Sequence, residues 1–135
     1  MKLFQTEQYQ RIAAMDAVLF RDDHPIEDWT DNIWWIGIEN GKDVAYCGVK
    51  RLDEEIAYLS RAGVMASHQG KGIQKRMIRK RLEWAKAAGC NWAITDTVHN
   101  NPASVNSLIS LGFRQFIPQY QWKDGTVTLY WRKKL

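Results

Sequence analysis

Hydrophobic and polar positions change period several times along the chain. Ile33, Trp34, Trp35, Ile36 and Ile38 crowd one short run of β-branched and aromatic residues, which predicts a strand over Ile33–Glu39. Asn40-Gly41 is a two-residue hairpin signal leading into a second strand from about Asp43 to Arg51. Asp53-Glu54-Glu55 marks the next turn. A third strand follows over Ile56–Met65 with Gly63 inside it, and a glycine within a strand often marks a bulge or a close approach of a ligand to the backbone. From Gly72 to Ala88 the period becomes helical. Ile73, Met77, Ile78, Leu82, Trp84, Ala85 and Ala88 share one face, Lys75, Arg76, Arg79, Lys80 and Lys86 lie mostly outward, and Gly89 suits the position just past the helix end.

The flanks extend this pattern. Lys2–Gln5 reads as a short strand, and Thr6 as the N-cap of a helix with Tyr9, Ile12, Met15 and Leu19 on one stripe, ending near Phe20. His24-Pro25 breaks the chain, and Ile26–Asn32 is a loop or a short second helix. Beyond the long helix, the pattern predicts a strand over Asn91–Val98, a helix over Pro102–Leu111 and a strand over Phe113–Trp122. A turn at Lys123-Asp124-Gly125-Thr126 and a closing strand over Val127–Arg132 complete it. The sum is an α/β (α+β) architecture: a mixed sheet with flanking helices, whose one parallel crossover is the strand–helix–strand unit from Ile56 to Val98.

A length of 135 residues suits one domain, spanning 1–135, with a single hydrophobic core. With 45% hydrophobic and 25% charged residues the chain is globular rather than disordered. No apolar run reaches bilayer-spanning length. Met1-Lys2-Leu3-Phe4 soon gives way to polar residues, so a secretory leader is not expected. The two cysteines, Cys47 and Cys90, lack metal-type spacing and read as cytoplasmic thiols; no metal is expected. The net charge of +4, concentrated in Lys71–Lys86 and Arg132-Lys133-Lys134, suits phosphates, acidic surfaces or nucleic acid without selecting among them.

The chemistry concentrates where the third predicted strand turns into the long helix. The first N–H groups of a helix lack intrahelical partners and carry the positive end of its dipole, while Gly70 and Gly72 let a ligand approach the backbone. That combination suits an anion, phosphate above all. A dinucleotide fingerprint would need a third glycine where Lys75 stands, and no G-x-x-x-x-G-K-[ST] occurs. The bland alternative is a plain strand–turn–helix with exposed glycines.

Gln69-Gly70-Lys71-Gly72-Ile73-Gln74 resembles the [QR]-x-x-G-x-[GA] loop of the GNAT superfamily of acyl-CoA-dependent N-acetyltransferases, departing at Gln74. Asn101-Pro102-Ala103-Ser104, followed by Leu111-Gly112-Phe113, resembles a second segment of that family, in the same order and spacing. The resemblance covers roughly Ile33 to Arg132. It implies a mostly antiparallel sheet of six to seven strands, splayed in a V at the cofactor strand. It also implies an N-acetyltransferase that moves an acetyl group from acetyl-CoA to an amine by direct attack in a ternary complex. Carried over by position, it places Ala62, Gly63 and Val64 along the pantetheine arm and the N–H groups of Gly70, Lys71, Gly72, Ile73, Gln74 and Lys75, after Gln69, on the diphosphate. Asn101 and Ser104 fall beside the arm or its thioester end.

Acetyl transfer needs a neutral amine, a donor for the oxyanion and a leaving thiolate; an N–H near Val64 is the donor candidate. The resemblance implies a base at Asp96, where some family members that acetylate protein N-termini carry a Glu; a strand-end cap is the bland alternative. Glu55, with Glu54, is the second choice, and a hairpin turn explains both equally well. His99 lies in a polar loop, and His24 and His68 have loop explanations. The family's frequent acidic tyrosine is Leu108 here, and Tyr120 is a replacement candidate, otherwise a packed sheet aromatic. Two alternatives stand beside the enzyme: a non-catalytic acyl-CoA-binding or partner-binding module on the same fold, and an enzyme acting on an RNA-linked amine. The expected acceptor is a small-molecule or peptide amine. A homodimer through the last strands is an open option, and no membrane association is expected.

Overall fold

The computed structural model describes residues 1–123 and 127–135, so the predicted turn at 123–126 lies largely outside the described residues. The elements in chain order are β1 (Lys2–Thr6), α1 (Tyr9–Leu19), β2 (Ile33–Glu39), β3 (Lys42–Arg51), β4 (Ile56–Val64), α2 (Ile73–Ala87), β5 (Trp92–Val98), α3 (Pro102–Ser110), β6 (Arg114–Phe116) and β7 (Thr128–Lys134). Single 3-10 turns at Trp29–Asp31 and Ala66–His68 precede β2 and α2. The seven strands run in the order β1-β2-β3-β4-β5-β7-β6. The β4–α2–β5 crossover is parallel, and the pairs β1–β2, β2–β3, β5–β7 and β6–β7 are antiparallel, giving the mixed, mostly antiparallel sheet that the sequence predicts.

The chain divides into two compact units, Met1–Lys50 with Ser60–Met77, and Arg51–Leu59 with Ile78–Leu135. In the first, β1, β2 and β3 form a meander. Asn40 (φ 51°) and Gly41 (φ 74°) both take left-handed backbone, the primed turn whose twist suits a two-residue hairpin. Ile12, Met15, Trp34, Ile36 and Tyr46 form the core cluster, with Tyr9, Leu19, Phe20, Ile26, Trp29 and Met65 packed on it. Asp28 caps the turn before β2 by accepting from the Thr30 amide.

In the second unit the parallel ladder joins Ile56↔Trp92, Ala57↔Ala93 and Tyr58↔Ile94, after which Thr95 Oγ1 donates to the Leu59 carbonyl at 2.7 Å. The last turn of α2 ends as its sequence requires. Gly89 (φ 88°) donates to the Lys86 carbonyl and Cys90 to that of Ala85, the paired bonds of a Schellman motif. Of the predicted inward face, Ile73, Met77, Ile78 and Ala85 are buried, while Leu82, Trp84 and Ala88 are half-buried.

Two expectations are corrected. Thr6 is no N-cap: the β1–β2 ladder pairs it with Trp34, and its hydroxyl instead accepts from the Gln8 amide, closing a tight turn before α1. The strand predicted over Phe113–Trp122 shrinks to Arg114–Phe116. Pro118 has no N–H to give a ladder, and β6 is the edge of the sheet with β7 as its one neighbour among the described residues. Tyr120 is therefore not a packed sheet aromatic but 80% exposed.

Candidate functional site

In the first unit, β4 runs out through Ser60–Val64 into the 3-10 turn and then the glycine loop. Gly70 (φ 76°) and Gly72 (φ 78°) take backbone that other residues adopt at a cost, and a Cβ built on either would meet nothing within 4 Å. The loop therefore opens onto free space at the head of the 15-residue helix α2. Gln69, Gly70, Lys71 and Gly72 are exposed, Ile73 is buried, and Gln74 and Lys75 are half-buried. The Gln69 side chain turns back on the strand, its Nε2 donating to the Val64 carbonyl at 3.0 Å, which pins the loop to the end of β4. Open backbone beside a helix N-terminus fits a diphosphate.

Ala62, Gly63 and Val64 are half-buried at the end of β4. A Cβ on Gly63 would sit 2.7 Å from Leu19 Cδ1 and 2.8 Å from Tyr46 Cε1, so the unit's own packing already requires this glycine. Beneath it lies a polar group that the sequence reading missed. Asp16 is only 6% exposed; it accepts from the Tyr46 hydroxyl and from Arg61 Nη1, while Arg61 Nη2 donates to the His24 carbonyl and the guanidinium lies 4.7 Å from the centre of the Phe20 ring. Burial, then the hydrogen bond to Asp16, pushes the Tyr46 phenol well above its usual range. The signal was available: Asp16 stands four residues after Ile12, on the buried stripe of α1.

His68, read as a loop histidine, faces Glu39 through Nε2 and Ser67 through Nδ1. That contact, followed by the amino group of Met1, holds the Glu39 carboxyl below the usual carboxylate range.

In the second unit, Asp96 is half-buried on β5, and its Oδ2 accepts from both the Tyr58 hydroxyl and Trp122 Nε1, the latter at 2.8 Å. Two donors on one oxygen, with Oδ1 free of hydrogen bonds among the described residues, make this a held carboxylate rather than a solvated strand end. Neither donor was readable in advance, because both are brought in by pairing and by a segment without regular structure. Asn101 caps α3, its side-chain oxygen accepting from the Ser104 amide at 3.3 Å, with Pro102 at the first turn. Leu108, where the family often has tyrosine, is buried.

Glu55 immediately precedes β4. Its carbonyl accepts from the amides of Asn91 (2.7 Å) and Trp92 (3.0 Å), and its side chain is exposed. Asp53 Oδ1 accepts from the Glu55 and Ile56 amides, so this turn is explained locally. His99 is exposed, against the Val127 carbonyl. Cys47 and Cys90 are buried and lie outside any disulfide, and among the described residues no group of three or more metal-ligating side chains gathers. No helix among the described residues is long and apolar enough to cross a membrane.

Several solved structures share this fold. An acetyltransferase from Streptococcus agalactiae 2603 superposes with a TM-score of 0.78 at 16% identity, over 99% of this chain and 98% of that one. A GNAT family acetyltransferase from Elizabethkingia anophelis with acetyl-CoA bound gives 0.75 at 14%, over 99% and 97%. The ribosomal-protein-S18-alanine N-acetyltransferase from Escherichia coli gives 0.78 at 16%, over 98% and 92%. No curated relative matches the chain. The model of the Acetyltransferase (GNAT) family matches residues 3–113, so the chain belongs to that family.

Proposed function

We propose that this chain works as one N-acetyltransferase domain over 1–135, moving an acetyl group from acetyl-CoA to a small-molecule or peptide amine by direct attack in a ternary complex. The observation that carries the reading is the open glycine loop at the head of α2, with Gly70 and Gly72 at positive φ, in a chain of this family. The amides from Gly70 to Lys75 would hold the diphosphate and Ala62–Val64 the pantetheine arm. Asn101, whose side-chain nitrogen has no hydrogen bond among the described residues while its side-chain oxygen caps α3, and Ser104 would lie towards the thioester.

Acetyl-CoA, when bound, supplies a thioester carbonyl at which a C–N bond forms as the C–S bond breaks. Asp96 takes the proton that the acceptor nitrogen gives up, directly or through a water, and the backbone at Val64 donates to the carbonyl oxygen as charge develops there. Leu108 has no proton to give, which leaves water or the exposed Tyr120 hydroxyl to protonate the sulfur. That missing hydroxyl is also what favours the second reading, an acyl-CoA-binding module without turnover. The peptide acceptor is supported by the Escherichia coli neighbour, described as acting on a ribosomal protein's alanine.

Calorimetry with acetyl-CoA, followed by thiol release across an amine panel, tests the proposal. Saturable binding with turnover that falls by about 10²- to 10⁴-fold in Asp96→Asn is expected. Binding without turnover on any amine selects the module; no binding at millimolar acetyl-CoA removes both.

A further inference from the structure

We infer that the face of the second unit's sheet around Asp96 is a recognition site for a hydrophobic monoamine, a single ammonium with an apolar flank, and not for a polyamine. This rests on the acetyltransferase reading only in naming that ammonium as the acceptor.

Strand register puts the components on one face. Asp96 pairs with Tyr130, and Tyr130 with Phe116, while Tyr58 pairs with Ile94 two positions before Asp96. Paired residues share a face, and so do residues two apart. Trp122 joins them from the segment after β6, with ring centres 4.5 Å from Tyr130 and 6.3 Å from both Tyr58 and Phe116. The backbone of Lys123 holds it there, donating to and accepting from the Tyr130 hydroxyl at 3.3 Å. Trp122 is still 39% exposed, so the cluster reaches solvent. A carboxylate among aromatic rings, one oxygen fixed by Tyr58 and Trp122 and the other without a hydrogen bond among the described residues, is a setting for an organic cation. The face already takes one: the Arg132 guanidinium lies 4.9 Å from the Phe116 ring centre and 5.6 Å from that of Trp92.

Charge sets the class. Along the same face β5 offers Trp92, Ile94, Asp96 and Val98, β7 offers Thr128, Tyr130, Arg132 and Lys134, and β6 offers Arg114 and Phe116. Asp96 is their one carboxylate, against three cations. A second ammonium on the ligand would meet Arg132, Arg114 or Lys134, whereas an apolar flank would meet rings.

The test titrates the full chain by calorimetry at neutral pH with phenethylamine, its uncharged analogue 2-phenylethanol, and spermidine, alongside acetyl-CoA. Phenethylamine is expected to bind saturably, at least about tenfold tighter than either comparison compound. Asp96→Asn and, separately, Trp122→Ala are each expected to weaken it by about tenfold, a change of roughly 1.4 kcal/mol. Asp96→Asn keeps the shape and one oxygen able to accept from Tyr58 and Trp122, so its circular dichroism and melting separate lost recognition from lost folding. Acetyl-CoA binding without phenethylamine binding overturns the site and leaves the acetyltransferase. Phenethylamine binding without acetyl-CoA binding keeps the site and removes the acetyltransferase. Spermidine binding as tight as phenethylamine overturns the monoamine class.

Discussion

The hydroxyl of Tyr46 donates to Oδ1 of Asp16 over 2.5 Å, tying β3 to the inward side of α1. Arg61, on β4, donates to both oxygens of the same carboxylate at 3.1 and 3.3 Å. The Tyr46 ring also fills the space that a side chain at position 63 would need. One tyrosine thus sets the floor under Ala62–Val64, and its chemistry can be tested apart from any ligand.

Gly63→Ala places a methyl group 2.7 Å from Leu19 and 2.8 Å from Tyr46, closer than carbon atoms tolerate. Neither neighbour is the loose end of a surface side chain, since Tyr46 is held by Asp16 and both belong to the packed cluster. The expected cost is about 1–3 kcal/mol, read as a lower midpoint in urea with an unchanged slope.

Tyr46→Phe removes the hydroxyl and leaves Asp16 with Arg61, and should cost about 1–3 kcal/mol at neutral pH. The pH dependence has a definite sign. The folded-state pKa of Tyr46 lies above the unfolded value, so the phenol contributes its full stability below about pH 10, the ordinary tyrosine range. That contribution falls as pH climbs from there toward the folded-state pKa, because the unfolded chain loses the proton first. Denaturation midpoints from pH 8 to 11 should therefore decline more steeply for the wild type than for Tyr46→Phe.

Much of this arrangement was legible because local signals agreed with the final packing. Asn40-Gly41 gave its hairpin from the left-handed preference of those two residues, and Gly89 gave the end of α2. Thr6 misled because a hydroxyl before an apolar stripe has two uses, and pairing with β2, invisible along the chain, decided between them. Around Asp96 the failure was of the same kind. Its position on a strand could be read, but Tyr58 reaches it across a parallel ladder from 38 residues away in sequence, and Trp122 from a segment with no period at all. Arg81, buried at 3% exposure amid the basic stretch of α2, shows the converse: a charge run reads as solvated face until the helix is packed.

Glu39→Gln tests the contact that anchors the turn before the glycine loop. The carboxyl of Glu39 is held below its ordinary range, first by the hydrogen bond with His68 and then by the Met1 amino group. A lowered folded-state pKa stabilises fully above the unfolded value, about 4.3 for a glutamate, and the effect is lost as pH falls through the folded-state pKa. The melting temperature of Glu39→Gln should lie below that of the wild type at pH 7, and the gap should close on titration toward pH 3.

Gly72→Ala and Gly89→Ala form a matched pair for the glycine loop. Both glycines take left-handed backbone, with φ of 78° and 88°, and a Cβ on either meets nothing within 4 Å. Each alanine therefore incurs the same backbone strain, about 1–2 kcal/mol, without a steric clash, and the two variants should melt alike. They differ in place: Gly72 stands just before the first turn of α2, Gly89 just after its last. If the amides from Gly70 to Lys75 hold a diphosphate, the methyl group at 72 occupies the ligand's approach. Acetyl-CoA should then bind Gly72→Ala about tenfold more weakly, roughly 1.4 kcal/mol, while Gly89→Ala retains wild-type affinity. Calorimetry on both variants decides it. Equal affinities in the two, after equal losses of stability, would move the anion away from the head of α2 and take the cofactor assignment of that loop with it.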